Sequence, residues 1–133
     1  MALVPSPVRI IGTGLIGGSL GLALCRAGVE VQVEDSSPGT AALAVELGVG
    51  ELPGPEAADP ALVLVAAPPD VSAMLVDRAL RRWPDALVAD VASVKATVLD
   101  GLRALARPAD LPRYIGAHPM AGREVSGVIA ARA

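Results

Sequence analysis

Apolar runs of strand length alternate with stretches of helical period along this chain, and turn residues separate them. Val8–Ile11 reads as a strand with glycines directly behind it. Leu15–Ala27 reads as a helix that stops at Gly28, the residue type commonest just past a helix C-terminus. Val29, Val31 and Val33 alternate and predict a second strand over Val29–Val33. Ser37 and Pro38 suit the N-cap and first helical positions of the next helix, which Gly48 closes. Glu51–Asp59 is a loop rich in Pro, Ala and Glu, where any strand is short and marginal. Leu62–Ala66 is a continuous apolar run, the pattern of a strand covered on both faces. Pro68-Pro69-Asp70 starts another helix, in which Val71, Met74, Leu75 and Ala79 share one face, the apolar stripe of an amphipathic helix. Ala86–Ala89 is a strand. Val94, Val98, Leu102 and Leu105 mark a further helix face, stopped by Pro108, with Arg103 and Arg107 near the negative end of its dipole. Tyr114–Ala117 is the last strand, and beyond His118 the chain turns Gly-rich and irregular. Strands separated by helices imply parallel pairing through right-handed crossovers. The order β-α-β-α-(β) followed by β-α-β-α-β predicts an α/β fold: a Rossmann-type doubly wound, mainly parallel sheet with helices on both faces.

Composition narrows the class. A chain of 133 residues is one ordinary domain, long enough to bury a core. With 53% apolar and 19% charged residues, disorder is excluded as the main state. A net charge of −3 leaves no electrostatic footprint for nucleic acid. The longest purely apolar run, Ala61–Ala67, falls far short of the roughly 20 residues of a membrane span. No basic segment precedes an apolar stretch, so no signal peptide is expected. The single cysteine, Cys25, cannot form an internal disulfide, and a reduced, cytoplasmic setting is the expectation. Without Phe, and with one Trp and one Tyr, the core must be Val, Leu, Ile and Ala. The chain has one histidine, His118, and one lysine, Lys95. No metal site is expected.

Three motifs carry the candidate chemistry. Gly12-Thr13-Gly14-Leu15-Ile16-Gly17 is G-x-G-x-x-G between a predicted strand and a predicted helix, the context that makes it a dinucleotide-binding turn. Gly12 permits the tight turn, Gly14 the approach of a pyrophosphate, and Gly17, with Gly18 and Gly21, close packing of helix on sheet. The helix N-terminus supplies N–H groups and partial positive charge. The competing reading is a packing turn without ligand. Asp35, at the end of the second strand, lies about 20 residues on, where an acid accepts hydrogen bonds from the ribose hydroxyls. Its alternative is a turn residue before Ser36-Ser37, and Glu34 is the competing acid, on the face opposite Val33. No Arg or Lys lies between Glu34 and Glu46, so NAD is favoured over NADP. Asp90-Val91-Ala92-Ser93-Val94-Lys95 falls at the C-terminal end of a strand, the ligand edge of such a sheet. Ser93 suits either chemistry or the N-cap of the next helix. Lys95, in the first turn, is placed against the helix dipole and otherwise reads as a solvated side chain. His118 follows the last strand at the same edge, a base or a structural histidine.

Together these residues resemble a family. Gly12-x-Gly14-x-x-Gly17-Gly18-Ser19, Asp90-x-x-Ser93-Val94-Lys95 and Gly116-Ala117-His118-Pro119-Met120-Ala121-Gly122-x-Glu124-x-x-Gly127 resemble prephenate dehydrogenase of tyrosine biosynthesis, from about Val8 to the chain end. The last motif is the specific one; the first is shared by many dehydrogenases. The resemblance implies transfer of hydride from prephenate to a nicotinamide with loss of a ring carboxylate, giving 4-hydroxyphenylpyruvate. By position it makes His118 the catalytic histidine that takes the ring hydroxyl proton, and Ser93 a serine beside that hydroxyl. It makes Glu124 an acid near the site entrance and Lys95 a lysine of electrostatic role. Arg123 stands where small hydroxyl residues are common, which changes the charge there. A histidine of ordinary pKa near 6.5 suits the base at neutral pH. The family also carries a helical domain after this region, which forms the homodimer and supplies cations for the substrate carboxylates. Residues 1–133 contain none of it, so the expectation is a dinucleotide-binding domain that is part of a longer protein.

Arogenate dehydrogenase is the alternative with the same motifs, since its substrate differs from prephenate in an amino for a keto group. A β-hydroxyacid dehydrogenase would use a lysine in a later helical domain and would not need His118. A nucleotide-binding regulatory module without catalysis would need no base beside the nicotinamide.

Overall fold

A computed structural model describes residues 5–117. Five strands form one parallel sheet: β1 (Val8–Ile11), β2 (Val31–Glu34), β3 (Leu62–Val65), β4 (Leu87–Asp90) and β5 (Tyr114–Gly116). Four helices alternate with them: α1 (Leu15–Arg26), α2 (Pro38–Glu46), α3 (Pro69–Arg82) and α4 (Lys95–Leu105). The strand order is β2-β1-β3-β4-β5. Glu51 adds a one-residue parallel bridge outside β2, its N–H donating to the Val31 carbonyl at 3.0 Å and its carbonyl accepting from the Val33 N–H at 2.9 Å. Counted as a strand, it completes the doubly wound order expected from the sequence. Pro53 and Pro55 lack the N–H groups that would lengthen it.

Each face of the sheet has its own aliphatic core. Val8, Ile10, Val31 and Val33 meet Leu20, Leu24, Leu43 and Ala44 of α1 and α2. Val63, Val65 and Val88 meet Val76, Leu80 and Leu102 of α3 and α4, with Trp83 at the edge. β3 serves both, Leu62 and Leu64 turning one way and Val63 and Val65 the other. The interior is filled mainly by the expected Val, Leu, Ile and Ala side chains. No helix among the described residues is long and apolar enough to cross a membrane.

Several expectations shift. β2 begins at Val31, not Val29, because the Val29 N–H is spent on the Leu24 carbonyl (3.0 Å), closing α1 through Gly28 at φ +80°. In α3 the expected stripe is not the core stripe. Ser72, Val76, Ala79 and Leu80 are the buried positions, whereas Met74 is 44% exposed and Val71 and Leu75 are half-buried. The helix carries two apolar stripes, and the one that continues into Trp83 lies on the sheet. Ser72 is tolerated there because its hydroxyl donates within the first turn, to the Pro68 and Ala67 carbonyls. In α4, Val98 and Leu102 are buried as expected, but Val94 and Leu105 are exposed and Ala106 takes the final core position.

The end of α3 is closed by a side chain from far along the chain. The Arg113 guanidinium donates to the carbonyls of Leu80 (2.8 Å), Trp83 (3.0 Å) and Ala86 (2.9 Å). Asp110 holds it at 2.9 Å and also takes Arg107 Nε at 2.8 Å. The hydrogen bond from Arg107 is the largest influence on the Asp110 carboxyl and, with the hydrogen bond from Arg113 and the charges of both guanidiniums, holds it below the usual carboxylate range against the opposing effect of burial.

Candidate functional site

The strand order reverses between β1 and β3, and a cleft of about 490 Å³ opens there at the C-terminal ends of the strands. Its floor is the turn Gly12–Gly14. Gly12 has φ +99°, and a Cβ there would stand 2.2 Å from the Ala66 carbonyl oxygen, so glycine is required by the turn itself. A Cβ on Gly17 would meet the Gly12 oxygen at 1.9 Å, so glycine there is required by the packing of α1 on the turn. Gly14 is different. A Cβ there would meet no protein atom within 4 Å and would project into open space. Gly14 is the N-cap of α1 and brings no side chain to the first-turn N–H groups, and no acid stands in that turn. Those N–H groups have no intrahelical acceptors. Backbone donors, a helix dipole and a vacant approach over Gly14 fit an anionic diphosphate. Gly12, Thr13 and Gly14 line the cleft, while Leu15, Ile16 and Gly17 form the first turn of α1 behind it.

Asp35 also lines the cleft, and it has a structural task as well. One oxygen accepts from the Thr13 N–H (2.9 Å) and hydroxyl (3.0 Å), and the other accepts from the Ser37 N–H (2.9 Å). It thereby ties the Gly-rich turn to the start of α2, where Ser37 caps as expected by accepting from the Thr40 N–H at 3.3 Å. Glu34 faces away from Val33, as the alternation requires, and its carboxylate lies 3.8 Å from Arg9 and 3.7 Å from Arg82. Both guanidiniums lie over the Trp83 ring, at 5.0 and 4.2 Å from its centroid. Burial is the main cause that pulls the Arg9 guanidinium below its ordinary pKa. No Arg or Lys stands between Glu34 and Glu46 in the sequence, but α3 brings Arg78 to the same cleft as Asp35 and Ser36, and Arg82 to the recess beside it.

The opposite end of the ligand edge is organised by Asp90, fully buried at the end of β4. Its carboxylate accepts from the Ala92 N–H (3.0 Å), from Lys95 Nζ (2.5 Å) and from the Tyr114 hydroxyl (2.5 Å). Its carbonyl accepts from the Ala117 N–H at 2.9 Å. One residue therefore holds the backbone immediately before Ser93 and immediately before His118. Lys95 is not a solvated lysine; it crosses back to the buried carboxylate, with a third of its side chain exposed. Burial, then hydrogen bonding to Asp90 and its charge, pushes the Tyr114 hydroxyl well above its ordinary pKa. Ser93 is not an N-cap. Val94 occupies that position without a side-chain hydrogen bond, and Ser93 is exposed in the loop, because Asp90 already secures the turn. His118, Arg123 and Glu124 lie outside the described residues.

Asp90 stood in the quoted motif without a role, and its register opposite Tyr114 and Gly116 depends on strand pairing, which no local pattern reveals. Val71, Met74 and Arg78 line the cleft as well, and here a signal existed: a second stripe on α3, one position out of phase with the core.

The family profile described as prephenate dehydrogenase, nucleotide-binding domain, matches residues 20–133. A curated relative, "Probable prephenate dehydrogenase NovF" of Streptomyces niveus, is 42% identical over 125 residues, which are 92% of this chain and 33% of that protein. Among solved structures, Synechocystis arogenate dehydrogenase superposes with a TM-score of 0.79 at 27% identity, over 94% of this chain and 45% of that one. Prephenate dehydrogenase from A. aeolicus, in complex with hydroxyphenyl propionate and NAD+, superposes with a TM-score of 0.73 at 26% identity, over 98% and 47%. The chain spans about a third to a half of the length of these proteins. By sequence over most of its length and by fold throughout the described residues, it belongs to the prephenate dehydrogenase family, as the nucleotide-binding domain.

Proposed function

We propose that this chain is the NAD-binding part of a dehydrogenase that oxidises and decarboxylates prephenate to 4-hydroxyphenylpyruvate in tyrosine biosynthesis. The observation that carries the cofactor reading is Gly14, a glycine that the turn and the packing do not require, at the mouth of a cleft lined by backbone donors. The Gly12–Gly14 turn and the start of α1 hold the diphosphate. Asp35 has lone pairs beyond its three hydrogen bonds and accepts from the ribose hydroxyls. Bound NAD supplies the hydride acceptor. His118 takes the proton of the ring hydroxyl, Ser93 hydrogen-bonds the same oxygen, and Glu124, Arg123 and Lys95 set the charge around the substrate. The substrate cations and the homodimer contact belong to a helical domain beyond this chain, and the enzyme is cytoplasmic.

In the complete protein, His118→Asn lowers kcat by about 10²-fold or more and leaves NAD affinity nearly unchanged. Asn keeps a hydrogen-bonding group but takes no proton at neutral pH. NADH formation is followed with prephenate and, separately, with arogenate, and the substrate with the higher kcat/KM is the one assigned. Near-normal kcat in the variant overturns the role of His118. Residues 1–133 alone bind NAD, because every proposed cofactor contact is present in them, but do not turn over prephenate. Without the second domain the reacting atoms are neither aligned nor shielded from water. Absence of NAD binding to residues 1–133 overturns the whole reading.

A further inference from the structure

One guanidinium that lines the cleft beyond Asp35 pairs with no carboxylate among the described residues. Two carboxylates, Glu34 and Asp35, and three guanidiniums, Arg9, Arg78 and Arg82, gather around the ends of β1 and β2 and the outer face of α3. Glu34 is matched by Arg9 and Arg82, which are also held on Trp83. Asp35 is turned to Thr13 and Ser37. Arg78 has no such partner. It is exposed, its one hydrogen-bond contact is the Met74 sulfur at 3.8 Å, and among the described residues no carboxylate pairs with it. It lines both the main cleft and an adjoining recess of about 240 Å³, and Ser36 lines both with it.

A nicotinamide cofactor whose ribose diol reaches Asp35 brings its 2′ oxygen to this place. A 2′-phosphate there meets Asp35 as a like charge, which by itself favours NAD. It also meets a guanidinium without a competing carboxylate partner, in a form suited to two parallel hydrogen bonds with phosphate oxygens. We propose that Arg78, with the Ser36 hydroxyl, forms a 2′-phosphate subsite, so that the domain takes NADP as well as NAD. This rests on the cofactor reading above and narrows its preference for NAD over NADP. Arg78 is a specificity-determining residue that comes from α3 rather than from the β2 end.

Calorimetric titration of the chain with NAD+ and with NADP+ tests it. Wild type binds NADP+ within about tenfold of NAD+. Arg78→Ala weakens NADP+ by about tenfold, the weight of one charge-assisted contact, and NAD+ by less than threefold. Arg78→Glu weakens NADP+ further still. The NADP+ affinity falls more steeply with salt than that of NAD+, because an exposed pair is screened. NAD+ binding with no NADP+ binding, or an equal loss of both cofactors in Arg78→Ala, overturns the subsite and leaves the cofactor reading standing. Failure of wild type to bind either cofactor overturns both.

Discussion

Gly14 and Gly17 are two glycines of one motif with different physical reasons, and substitution separates them. Gly14→Ala has room for its methyl group and costs about 1 kcal/mol at most, the loss of an N-cap glycine, yet it fills the approach to the diphosphate and lowers NAD affinity by about tenfold or more. Gly17→Ala drives Cβ into the Gly12 carbonyl and costs several kcal/mol. Thermal melts beside cofactor titrations read the two effects independently; equal melting losses would show that the space over Gly14 is not open. The motif was legible because strand and helix flank it. Lys95 was not. Its charge opposes the helix dipole, so the local pattern favours solvent, and only the buried Asp90 carboxylate explains where it goes. Lys95→Met leaves that carboxylate with one neutral side-chain donor. The expected cost is about 2–3 kcal/mol, just below the usual range for breaking a buried pair because the lysine is partly solvated. Removing both charges, in Lys95→Met with Asp90→Asn, recovers part of the loss. Urea unfolding of both proteins checks this, and a cost under about 0.5 kcal/mol in the single variant would return Lys95 to the solvated class.

At the scale of elements, periodicity located α3 but not its orientation. Val71, Met74 and Leu75 have the same chemistry as Val76 and Leu80, because a cofactor cleft is lined with the same apolar side chains as a core. What decides the rotation is long-range: which stripe meets Val63 and Val65 of β3. The clamp on the end of this helix was equally hidden, since Arg113 and the carbonyls it serves are separated by the whole of β4 and α4. Arg113→Met takes the guanidinium from the carbonyls of three buried residues, of which that of Trp83 keeps the Ala86 N–H, and costs about 2–3 kcal/mol. Asp110 ties this clamp to pH. Its carboxyl is depressed in the fold, so its contribution is complete above the unfolded value near 3.9 and is lost as pH falls through the lower folded value. The stability difference between wild type and Asp110→Asn is therefore constant from about pH 5 upward and shrinks below about pH 4. Urea melts at stepped pH give that curve, and a difference independent of pH would remove Asp110 from the clamp.

For the whole molecule, the parallel sheet and its doubly wound order were legible because strand-length runs and helical stretches alternate everywhere except between Glu51 and β3, the crossing point of the two halves. Even the marginal third strand is present, reduced to Glu51 by the prolines that follow. The site was legible at the end where a single turn builds it, and obscure where β4, β5 and α4 build it jointly through Asp90. Between those ends α3 does double duty. The letters that hold it on the sheet, Val76, Ala79 and Leu80, and those that face the cleft, Val71, Met74 and Arg78, are interleaved but nearly disjoint. Substitutions on the cleft side can accumulate without drawing on a stability margin of only a few kcal/mol. With the 2′-phosphate subsite proposed for Arg78, a lineage carrying this helix would drift between nicotinamide cofactors by single steps, each folded and each selectable, whereas the same drift through Asp35 would first loosen the Gly-rich turn that Asp35 holds.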